Sequence, residues 1–223
     1  MGSAKNTSTA SRTSRIEEMR RAERSRERRN RILVIAGSVV AVAALVAGGA
    51  YVVTSQSDDK KDDAASDSKG ASGHFVTGSD GVKTWKGTLG RTHVTKTVDY
   101  PMNPPVGGDH NQVWMNCNGD VYTKAINDMN AVHSLEHGAV WVTYNSKASE
   151  SDVKALAEKV KQTPYTLMSP VEDQKDPIML SAWAHQRTVT GASDPDLAKF
   201  FETYVQGKQT PEPGAACTNG LSQ

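Results

Sequence analysis

The sequence predicts an α+β fold: one small mixed-sheet ectodomain with about two helices, preceded by one transmembrane helix. Three observations predict it. An uncharged apolar run covers residues 32–53. The composition turns globular from about residue 81, beyond which lie all four Trp and five of the six Tyr. In that stretch short β-type segments outnumber helical ones in an irregular order, which suits neither a helical bundle nor a regular βαβ repeat.

Residues 1–31 hold ten Lys/Arg against four Asp/Glu, a net of +6, and almost no large apolar residue. Such a segment cannot bury a core, and it is expected to be a basic cytoplasmic tail. The run from Ile32 to Val53 is rich in Val, Ala, Ile and Leu. About 20 apolar residues cross a bilayer as a helix, so 32–53 is expected to span the membrane. The basic flank stays inside, which places the C-terminus outside the cytoplasm. Small residues at Ala47 to Ala50 would also suit a signal peptidase, but the long charged leader and the length of the run favour an uncleaved anchor. Residues 54–80, dominated by Ser, Asp, Lys, Gly and Ala, are expected to be a flexible linker.

Residues 54–223 carry a net charge of −5, so the near-neutral total divides into a basic inside and an acidic outside. An acidic ectodomain argues against nucleic acid as a partner, since phosphate contacts need clustered Lys and Arg. The partner is expected to be a protein or another envelope component. Both cysteines, Cys117 and Cys217, fall outside, where a disulfide persists. Two cysteines can also ligate a metal, but the compartment favours the bond.

Within 81–223 the elements read in order. His93 to Tyr100 alternates as a strand does, and Pro101 to His110 is a loop by its Pro and Gly content. Gln112 to Cys117 and Gly119 to Tyr122 are short extended pieces. Ala139 to Tyr144 is apolar nearly throughout, which suits a central strand. Ser149 to Gln162 is a capped helix with Val153, Leu156, Ala157 and Val160 at helical spacing. Tyr165 to Met168 and Ile178 to Val189 read as strands. Asp194-Pro195 opens a second helix to Val205, with Pro in the first turn.

The chemistry centres on His133-Ser134-Leu135-Glu136-His137-Gly138. Two imidazoles four positions apart share a face on a helix and also on a strand, whereas Glu136 joins them only on a helix. His-x-x-Glu-His is also the inverted zinc-peptidase pattern, in which Glu136 would be the general base of a metal-dependent hydrolase. Gly138 and a β-run follow at once, where such peptidases continue their helix. His110, behind Gly107-Gly108-Asp109, can bring a third imidazole, with Asp109 as ligand or as the acceptor that orients a ring. The expected metal site is therefore His110, His133, His137 and Asp109, for a divalent transition metal such as zinc or copper. His74 and His93 read as incidental, and His185 as a packed core residue.

Tyr100-Pro101, Pro104 to His110, Asn116 to Gly119, Val132 to Trp141, Ala182-Trp183 and Pro211 to Cys217 together resemble an actinobacterial family. It is catalogued as domain of unknown function 3105 and is usually membrane-anchored. The resemblance implies an extracytoplasmic domain and lends no catalytic residue. The expectation is a His-based metal- or ligand-binding module at the outer membrane face. The alternatives are the hydrolase and a purely structural envelope protein.

Overall fold

In β4 (Val140–Tyr144) alternate side chains enter two different cores. Val140 and Val142 pack with Leu180, Met168, Leu156 and Phe200, while Trp141 packs with Leu167, Leu135 and Trp183. A strand covered on both faces must be apolar in both phases, which is why this run shows no alternation. The computed structural model describes residues 71–223. The tail and membrane helix expected at 1–31 and 32–53 lie outside the described residues, as does most of the expected linker. Among the described residues no helix is long and apolar enough to cross a membrane.

The elements run β1 (Ala71–Thr77), β2 (Lys83–Leu89), β3 (Asn118–Val121), α1 (Asp128–Glu136), β4, α2 (Glu150–Lys161), β5 (Thr166–Pro170), β6 (Ile178–Ala182), β7 (His185–Thr188) and α3 (Pro195–Tyr204). They form one seven-stranded sheet ordered β1-β2-β7-β6-β4-β5-β3. β4, β5 and β3 run parallel, and the other pairs are antiparallel. The mixed sheet with three helices fits the α+β class. Residues of α2 and α3 fill the core on one face, those of α1 the core on the other, and a third small core lies under the β1–β2 hairpin.

Local chemistry explains the helix ends. Ser149 caps α2 by accepting from Asp152 N, and Asp194 caps α3 by accepting from Asp196 N, with Pro195 in the first turn. Asn127 caps α1 by accepting from Met129 N at 2.9 Å. That helix is buried from Met129 to Glu136, so it carries no polar stripe to mark it. It stops because Gly138 takes φ +92°, where a Cβ would collide with Gln206 and Thr210.

Four expectations are corrected. The folded unit already includes β1, so residues 71–80 are not linker: Phe75 packs edge-on against Trp85 at 5.1 Å, a partner that composition alone does not reveal. Residues 93–100 form no strand beyond one bridge between His93 and His110. Gln112 to Cys117 likewise has only the Met115–Leu221 bridge. The stretch 178–189 is two strands, because Trp183 and Ala184 make a tight turn in which Ala184 adopts φ 61°. Hydrogen bonds from Ala184 N to Val106 O and from Trp85 N to Ala184 O hold that turn.

Cys117 and Cys217 form the expected disulfide, 100 residues apart, with both residues fully buried. Closing a loop of that size is worth about 4–5 kcal/mol in the chain-entropy picture. A Cys117→Ser/Cys217→Ser variant of the full chain is therefore expected to lose stability of that order in urea unfolding. An unchanged midpoint would show that burial alone carries the tail.

Candidate metal centre

The last turn of α1 presents His133 and Glu136, and His137 follows as its C-cap. The helix therefore places the carboxylate with the imidazoles, as i, i+3 and i+4 require. Two loops complete the group. The single bridge between His93 and His110, with hydrogen bonds Val94 N to His110 O (2.8 Å) and His110 N to Thr92 O (3.1 Å), lays both residues over the helix end. His93 stacks on His133 with ring centroids 4.7 Å apart, and His110 lies 4.8 Å from His133. His93, His110, His133 and Glu136 each offer one ligand atom, all within 4.8 Å of one another. This group could hold a metal ion.

The proton positions are set by the backbone. His110 Nδ1 contacts Gly108 O, His133 Nδ1 contacts Asn111 O, and His137 Nδ1 contacts Ala216 O, each at 2.7 Å. A carbonyl only accepts, so each Nδ1 carries the proton and donates it. A neutral ring then has a bare lone pair on Nε2, the form in which histidine binds metals. His110 is fully buried, and its Nε2 has no hydrogen-bond partner. Glu136 Oε2 is only 2.9 Å away, but it lies off the line an Nε2 proton would follow. The pair is close in distance and not aligned as a hydrogen bond. At that range the two atoms share a cation, either a proton on Nε2 or a metal ion.

Glu136 is 1% exposed, and its carboxylate is secured by charge. Burial works to raise its pKa, but the contacts with His110 and Arg91 overcome that and hold it at about 2. Arg91 Nε donates to Oε1 at 2.6 Å, and its Nη2 reaches Glu212 Oε1 at 3.4 Å. A general base works best with a pKa near the operating pH, so Glu136 suits a ligand rather than the base of a hydrolase.

The expected site residues are placed as follows. His110 and His133 come together. His137 packs edge-on to His133 at 4.5 Å, yet its Nε2 faces Glu212 Oε2 at 3.9 Å, outside the group of four. Asp109 offers no ligand atom to the group: its Oδ1 accepts from Thr92 N at 3.0 Å and thereby fastens the segment bearing His93. His185 packs at a tilt against Tyr204, with ring centroids 4.6 Å apart, away from the cluster. Sequence reasoning missed His93 and Arg91, and set Glu212 aside because it sits in a Pro-rich loop. No local pattern marks them, because each reaches the site through a long-range contact. Trp114, whose ring lies 5.0 Å from that of His137, is a fourth such residue.

Burial, against the Asn111 hydrogen bond, pushes His133 down from 6.5 to about 4. The unfolded chain therefore takes up a proton near 6.5 that the folded protein refuses until about 4, so stability is lost as pH falls through that window. Glu136, held at about 2 against an ordinary 4.5, acts in the same direction lower down. The metal-free protein is expected to melt at progressively lower temperature across that range, and a His133→Gln variant should flatten its upper part. A melting temperature that rises on acidification would contradict the assignment.

Comparison with known proteins gives one family. No curated protein and no solved structure matches the chain. The protein family of unknown function DUF3105 matches residues 93–219, which takes in all four cluster residues, the disulfide and more than half of the sequence. The chain belongs to that family.

Proposed function

We propose that the domain is a metal-binding module held at the outer face of the membrane. Its mononuclear centre takes a divalent transition ion, zinc or copper(II), on His93, His110, His133 and Glu136. The observation that carries this reading is the buried His110 Nε2. Its ring donates from Nδ1 to the Gly108 carbonyl, and the Nε2 that is left for a metal has no aligned hydrogen-bond partner and stands 2.9 Å from Glu136 Oε2. Imidazole nitrogens with one carboxylate suit borderline ions, and no thiol is available because both cysteines are bonded. Ligand atoms spread over 4.8 Å. A tetrahedron of ~2 Å bonds has edges of about 3.3 Å, so loading is expected to draw His93 and His133 inward. The address rests on the disulfide, which suits an oxidising compartment, and on the basic segment ahead of the apolar run at 32–53.

Full-length protein, stripped with a chelator and titrated with zinc or copper(II), is expected to take up one equivalent. With free metal at about 100 times Kd the folded state should gain ~2.7 kcal/mol. His110→Ala and His133→Ala should each lower affinity by at least roughly a hundredfold, beyond what loss of a ligand's partner costs. A His137→Ala variant should retain the metal. Uptake of neither ion by the parent protein, with no rise in melting temperature, would refute the centre.

A further inference from the structure

The four ligands are unequal. His110, His133 and Glu136 are buried, and each is tied by a second contact: Gly108 O, Asn111 O and the Arg91 guanidinium respectively. His93 differs on every count. Its side chain is 42% exposed, and its ring makes no hydrogen bond among the described residues. It sits on a segment without strand or helix, joined to the fold at this point by the one bridge with His110. Only ring packing places it, flat on His133 and edge-on to His110 at 5.0 Å. Its Nε2 stands 3.8 Å from Glu136 Oε2, against 2.9 Å for His110.

A metal site meant to be permanent fixes all its ligands by outer contacts and closes the ion away from solvent. This site fixes three and leaves the fourth at the surface. We propose that His93 is a releasable ligand and that the centre exchanges its ion with an outside donor or acceptor. The inference rests on the metal centre described above. In the exchange step the metal–Nε2 bond to His93 breaks, and a dative bond forms to an imidazole, carboxylate or thiolate of the incoming molecule. Oxidation state does not change. The buried triad keeps the ion until the incoming ligand supplies further bonds. Asp109, through Thr92 N, anchors the segment just before His93, so the ring can swing without unfolding the loop.

The test uses full-length protein loaded with zinc, and transfer to a coloured small chelator followed by absorbance. The parent protein should hand over zinc at a rate that rises with chelator concentration, because the incoming ligand enters at the exposed position. His93→Ala should still bind one zinc and transfer it faster by roughly tenfold or more. Millimolar imidazole should restore slow transfer to His93→Ala, since the gap is open to solvent. It should not restore zinc binding to His110→Ala, whose gap is sealed. Metal-free melting of His93→Ala should match the parent, which separates ligand loss from misfolding.

A His93→Ala protein with parental affinity and rate would overturn the exchange role while leaving the metal centre standing. So would one that holds no zinc even with imidazole, or imidazole rescue of both variants alike. A parent protein that binds no zinc would overturn both.

Discussion

A carboxylate that is 1% exposed and still charged dictates what surrounds it. An unpaired buried charge costs several kcal/mol, and proteins avoid it by pairing or by neutralising the group. Glu136 is paired on one oxygen by Arg91 and approached on the other by His110 and His93. Arg91 is half-exposed, so one partially screened cation faces a group with almost no water of its own. The second oxygen is left to His110, whose Nδ1 donates to the Gly108 carbonyl, and to His93, which is placed by ring packing. The placement of protons and the placement of charge thus converge on one spot.

The fold serves that spot from several directions. The C-terminal end of α1 meets the tail through Glu212 N to Glu136 O (3.0 Å) and His137 Nδ1 to Ala216 O (2.7 Å). Ala216 is adjacent to the disulfide, and Cys117 N also bonds Cys217 O at 2.8 Å. The crosslink therefore sets the position of the carbonyl that fixes His137. On the other side, the Gly107-Gly108 pair lets the loop pass close under Trp183, which lies edge-on to His110. A side chain at Gly107 would meet the Trp183 ring at 3.2 Å, so the approach needs glycine there. Gly108 then supplies the carbonyl that accepts from His110 Nδ1.

Much of this was legible in the residues themselves. The helices α2 and α3 announced themselves through caps and apolar spacing, and β4 through an unbroken apolar run. The i, i+4 histidines needed no knowledge of the fold to be placed on one face. What stayed hidden depends on pairing at a distance. His93 lies 17 residues before His110, and nothing local says that their segments bridge. β1 is an edge strand that leaves most of its residues exposed, and its small and polar residues read as linker. α1 lost its signature for the opposite reason: with nearly every residue buried, it has no amphipathic period to detect.

The most direct measurement is the nitrogen-15 NMR of the histidine rings, with and without zinc. Without metal, His110, His133 and His137 should show the proton on Nδ1. On addition of one equivalent, the Nε2 signals of His93, His110 and His133 should shift as coordinated nitrogens, while His137 keeps its metal-free pattern. A proton on Nε2 in place of Nδ1 in His110 or His133, or zinc that leaves all these signals unchanged, would contradict the account.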